Sequence, residues 1–236
     1  MRIGSLARLG SLAGLIALLV SFCAPPSAQA QTSGTVAISG TVTAAVKLTS
    51  GGAATLTGNS GGGVTTSSGA DAALATVVDF GDVGPGNTSA YVCFTQPLFL
   101  RANAPSTVSA AVTAESFGGG GGDLAKTDIG IGFQNLAAGG VLSTIVNTSI
   151  TAAFSSDVCS APIDADGVPT FSATLNDLAT AAPGTAVIAS TAAISLGGSF
   201  NSPNNEADID LKLAIVPQAF TAGSFSATVT FTMTTP

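Results

Sequence analysis

Three stretches of this chain alternate apolar and polar residues with a period of two, and no stretch sustains a helical period. Over residues 35–48 the even positions are Val36, Ile38, Gly40, Val42, Ala44, Val46 and Leu48, while the odd ones are mostly Thr, Ser and Ala. Ala207, Ile209, Leu211, Leu213 and Ile215 alternate with Glu206, Asp208, Asp210 and Lys212. Phe225, Ala227, Val229, Phe231 and Met233 alternate with Ser and Thr from Ser224 to Thr234. Successive side chains on a strand point to opposite faces, so this pattern predicts half-buried strands and excludes amphipathic helices. At about 3.3 Å per residue the first strand would reach ~46 Å, so a bend near Gly40 is expected. The second and third runs are separated by residues 217–223, which predicts a connection of about seven residues, readable as a hairpin.

The middle of the chain is β-rich with a less regular phase. Residues 98–102 and 107–114 flank Asn103-Ala104-Pro105, a turn signal. Ile129, Ile131 and Phe133 alternate, and residues 141–154, 171–175 and 187–196 add further β-rich runs. Leu and Ala allow a helical turn or two near residues 175–182. Residues 50–70 (Gly/Ser/Thr-rich) and 117–123 (five consecutive glycines) read as flexible loops without packing information. No separate core pattern begins after either, so residues 31–236 are expected to form one domain, an all-β sandwich of about seven to ten short strands.

The first thirty residues read as an address. Arg2 and Arg8 precede a short apolar core at residues 9–22, followed by Pro25-Pro26 and the cleavage pattern Ala28-Gln29-Ala30. Such a core is shorter than the ~20 residues a membrane crossing needs, so residues 1–30 are expected to be a cleaved signal peptide. A lipid anchor at Cys23 is disfavoured because Phe22 stands where a small residue is required. The protein is therefore expected to be exported, to the periplasm and then the cell surface or beyond, with no membrane insertion after cleavage. Losing Arg2 and Arg8 leaves four bases against 13 acids, a net charge of −9. Cys93 and Cys159 remain, an even number in an oxidising compartment, which predicts a disulfide.

Composition excludes several chemistries. The chain has no histidine, hence no Ser-His-Asp or Cys-His arrangement and no imidazole metal site. Its few bases give no surface to neutralise nucleic-acid phosphates. Asp164-Ala165-Asp166-Gly167 opens like a calcium loop, but Leu175 stands at the twelfth position, where a bidentate Glu is needed. Glu206, Asp208 and Asp210 are expected to form a solvated face. Gly81-Asp82-Val83-Gly84-Pro85-Gly86 lacks the Lys of a phosphate loop. No catalytic residue, cofactor or metal ligand is assigned, and an enzyme is not expected.

Burying Val36, Ile38, Val42, Val46 and Leu48 is worth on the order of 10 kcal/mol, too much for a dangling tail. Either the chain's own groove or that of another copy must receive this strand. At these residues the sequence resembles secreted pilin subunits of the chaperone–usher type. Gly34 to Val42 is similar to their alternating, glycine-containing N-terminal extension, and residues 223–234 to their closing strand. Val78-Asp79-Phe80-Gly81-Asp82-Val83 followed by Cys93 looks like the Phe-Gly motif of the spore coat protein U-like branch. The resemblance implies an immunoglobulin-like sandwich lacking one strand and completed by donor-strand exchange. Val36, Ile38, Gly40 and Val42 would be the donor residues; Phe225, Val229, Phe231 and Met233 would line the acceptor groove and edge. It implies as partners other copies or related subunits, a periplasmic chaperone and an outer-membrane usher. A self-completed, monomeric secreted sandwich that binds a glycan or surface partner is the alternative.

Overall fold

The computed structural model describes residues 38–118, 122–138, 150–152, 154, 157–160, 171, 176–194, 199–200 and 206–236. The chain divides into two units, Met1–Val42 and Thr43–Pro236. In the first, residues 38–42 are described and carry no strand. The second contains eleven strands among its described residues: β1 Val46–Ser50, β2 Thr55–Thr57, β3 Gly63–Thr66, β4 Val77–Asp79, β5 Val92–Ala102, β6 Ser106–Ser116, β7 Ile129–Ala138, β8 Ile150–Ala152, β9 Pro183–Ser190, β10 Ala207–Ile215 and β11 Ser226–Thr234.

These form an antiparallel all-β sandwich. One sheet has the order β1-β5-β10-β7, with β2 also paired to β5; the other has the order β11-β6-β9-β8, and β3 and β4 form a separate ribbon. The core lies between the two sheets. Period-two alternation on β5 sends Val92, Phe94, Leu98, Leu100 and Ala102 into it, and β10 sends Ala207, Ile209, Leu211 and Ile215, all buried. Ile129, Ile131 and Phe133 of β7 meet Val108 and Ala110 of β6 in the same cluster. The expected inward face of β10 is the observed one.

The turn at Asn103-Ala104-Pro105 carries the chain from β5 in one sheet to β6 in the other. Asn103 ties that corner: its Oδ1 accepts from the Ala45 amide at 2.7 Å, and its Nδ2 donates to the Thr43 carbonyl at 2.9 Å. The expected helical turn forms at Leu178–Ala181, where the Asp177 carboxylate accepts the Thr180 amide at 2.6 Å, an N-cap. Cys93 at the start of β5 is disulfide-bonded to Cys159 in a 3-10 turn at Val158–Ser160, with Cα atoms 5.6 Å apart.

Three expectations are corrected. The strand read over residues 35–48 is β1 alone within the described part: residues 38–45 pair with no strand, so their alternation has no ladder to express it. β10 and β11 are not a hairpin but belong to different sheets. Their connection carries Phe220 and Phe225, which pack against the core and hold it across the sandwich. The Gly/Ser stretch at 50–70 is built structure, containing β2 and β3 and the buried Ser60 and Ser68. Its Gly62 passes so close to Phe80-Gly81 that a Cβ there would lie 2.6 Å from the Gly81 amide nitrogen. Of the second loop, residues 119–121 lie outside the described residues.

Candidate functional site

β11 is nine residues long, carries no charge and no proline, and pairs with β6 along its whole length. Among the described residues no strand pairs with its other edge. About half of its peptide groups therefore point away from β6 with no ladder partner. Its inward residues Val229, Phe231 and Met233 pack against the core but stay half-exposed, as does Phe225 just before the strand. Phe231 meets the ring of Phe133 edge-on at 6.2 Å.

Beside this edge lies a cavity of about 410 Å³, bounded on one side by residues 223–227 and Val229 and on the other by residues 77–81. The far wall is thus β4 and the Phe80-Gly81 turn that follows it. Phe80 and Phe225 close the slot between the two walls, ring centroids 6.4 Å apart, and Phe117 stacks on Phe225 at 6.2 Å. A second cavity of about 410 Å³ continues past that aromatic group, lined by residues that include Asp82, Asp123, Leu124 and Phe220. The Phe-Gly motif owes its glycine to backbone geometry: Gly81 has φ +65° and lies against Gly62 and the Ser60 carbonyl, where a side chain would collide. Asp79 Oδ1 accepts the Gly81 amide at 2.9 Å and sets the turn.

The far wall is tied to the sandwich by a buried amide. Gln96 sits in the inward row of β5, between Phe94 and Leu98, and is 1% exposed. Its Nε2 donates toward Ser50 Oγ at 3.1 Å, the Gly52 carbonyl at 3.0 Å and the Pro97 carbonyl at 2.8 Å. Its Oε1 accepts the Thr76 hydroxyl at 2.5 Å, one residue before β4.

The acidic face expected at Glu206, Asp208 and Asp210 is not uniformly solvated. Arg101, fully buried, is ion-paired to Glu206, whose side chain is 4% exposed, and to Asp71 at 2.5 Å. Its guanidinium also lies over the Phe99 ring at 5.6 Å. Burial pushes the Glu206 carboxyl up to about 7 despite the opposing pull of Arg101, and burial also raises Asp208. Pairing explains the correction: a buried guanidinium needs counter-charges, and Glu206, just before β10, supplies one.

Of the donor residues expected from sequence, Val36 lies outside the described residues. Ile38 and Val42 are 92% and 90% exposed, and a Cβ on Gly40 would meet open space. The acceptor residues Phe225, Val229, Phe231 and Met233 are brought together along one edge. Gln96, Thr76 and Arg101 escaped the sequence reading; a polar residue in phase with Val92, Phe94, Leu98 and Leu100 was the signal for Gln96. The Asp164–Gly167 segment lies outside the described residues, and among those described no group of three acidic or sulfur ligands converges. No described helix is long and apolar enough to cross a membrane. No family model matches the chain, and no curated protein matches it.

Proposed function

We propose that the protein is an exported structural subunit that self-assembles by strand donation, in the manner of chaperone–usher pilins. The observation that carries this reading is β11, a long, uncharged strand whose free edge stands beside an apolar slot. Natural edge strands are normally blunted by charge, proline or a cover, because an open one templates further pairing. β11 carries neither charge nor proline, and among the described residues no strand pairs with its free edge. A strand added there would complete the hydrogen-bond ladder and cover Val229, Phe231 and Met233. The matching donor is residues 36–42 of another copy, whose apolar Ile38 and Val42 are exposed in this chain. The Cys93–Cys159 disulfide agrees with export to an oxidising compartment. A periplasmic chaperone and an outer-membrane usher would be the partners that hold the subunit before assembly.

The test is size-exclusion chromatography and heat-stable gel laddering of the purified mature chain. Wild type should form a ladder of multiples. Changing Ile38 to Asp places a charge where the donor must enter an apolar slot, and should abolish the ladder without preventing secretion. A stable wild-type monomer would overturn the assembly reading. The second cavity favours the alternative of a monomeric binding module, since it joins Asp82 and Asp123 to the apolar Phe220. Saturable binding of a soluble oligosaccharide by that monomer, lost on changing Asp82 to Ala, would establish it.

A further inference from the structure

We propose that Thr76 and Gln96 form a latch that sets the second wall of the β11 slot, and are positioning residues for strand acceptance. This rests on the strand-donation reading above. The slot has unequal walls. β11 is held by nine registered pairs to β6, whereas β4 has three residues and, among the described residues, pairs only with the four-residue β3. A ribbon of that size is marginal on its own, so its position must come from elsewhere. Two attachments supply it. At one end of β4, Phe80 is buried in the core cluster, while the Gly62–Gly81 approach and the Asp82 amide on the Ser60 carbonyl at 2.7 Å extend the ribbon's own pairing. At the other end, Thr76 bonds to Gln96.

Gln96 is an expensive residue to keep where it is. A buried primary amide without partners costs about 1–3 kcal/mol, and an apolar side chain in phase with Phe94 and Leu98 would avoid that cost. What the amide does there is join three segments on the slot side. Its nitrogen reaches Ser50 and Gly52, where the sheet edge breaks between β1 and β2, and its oxygen takes the Thr76 hydroxyl. Ser68 closes the circuit: its hydroxyl accepts the Ala75 amide at 2.8 Å, and its carbonyl accepts Ser50 Oγ at 3.0 Å. The segment leading into β4 is thereby fixed to β5, a largely buried strand of the first sheet. The width of the slot depends on it, because Val77, Val78 and Asp79 line the far wall.

Thr76→Val keeps the shape of the side chain and removes only the hydroxyl; Thr76→Ser keeps the hydroxyl. Two measurements on the full mature chain separate the latch from the assembly reading. Hydrogen exchange of the Val77–Asp79 amides should quicken about fivefold in Thr76→Val, with β5 amides unchanged, and return to wild-type rates in Thr76→Ser. Ladder formation should slow about fivefold in Thr76→Val and recover in Thr76→Ser. Unchanged exchange in Thr76→Val overturns the latch, whatever the chain's assembly behaviour. Altered exchange with a wild-type assembly rate overturns its role in strand acceptance. Failure of the wild-type chain to ladder overturns the assembly reading and that role with it, while exchange still decides the latch.

Discussion

Arg101 shows how far one side chain departs from what its type suggests. It lies on β5 between the inward-facing Leu100 and Ala102, yet is fully buried and held by Glu206, Asp71 and the Phe99 ring. Among the described residues its Nε has no hydrogen-bond partner, so the arrangement is costly and depends on both carboxylates. Replacing Arg101 with Met leaves Glu206 buried and unpaired, and should destabilise the fold by about 3–5 kcal/mol in urea denaturation. Glu206 also predicts a direction in pH. Its carboxyl moves from 4.5 in the unfolded chain to about 7 in the fold, chiefly through burial. A raised folded value means that the stabilising contribution is full below about pH 4.5 and is lost as pH rises through about 7. Burial raises Asp208 and Asp128 in the same direction. Thermal midpoints should therefore be higher at pH 5 than at pH 8, and Glu206→Gln should flatten that slope. In sequence Glu206 and Asp208 read as part of a solvated face, because alternation shows which side of a strand a residue occupies but not what covers that side.

At the scale of elements, the apolar period located β10 and β11 within a residue or two and found the turn between β5 and β6. It did not assign strands to sheets. β10 and β11 look like a hairpin when only their spacing is known, and the packing of Phe220 and Phe225 separates them. The Gly/Ser stretch was misread because its order comes from contacts with distant backbone and not from its own side chains. Gly81 tests that account. Alanine there meets both a left-handed φ and the backbone of Gly62, and should cost at least about 1–3 kcal/mol, measurable as a lowered urea midpoint. The disulfide spans a separation of 66 residues. Replacing Cys93 and Cys159 together with alanine should lower stability by about 4 kcal/mol in the chain-entropy model, read by the same denaturation.

Over the whole molecule, the decisive question is whether the sandwich is complete in one chain. Removing residues 32–42 should leave a folded, disulfide-bonded monomer with an unchanged circular-dichroism spectrum and no ladder, since the described part of that segment adds no strand to the sandwich. Unfolding on that deletion would instead make the segment part of the subunit's own core. The sequence by itself determined the all-β class, the inward face of β10, the partnership of Cys93 with Cys159 and the apolar row of β11, because periodicity and cysteine count are local or combinatorial properties. Only the tertiary structure decided that β11 is an edge strand among the described residues, that β4 and Phe80-Gly81 form the opposite wall, and that Gln96 and Arg101 are buried hubs. Those facts depend on which distant segments meet, and a period of two carries no information about a strand's neighbour.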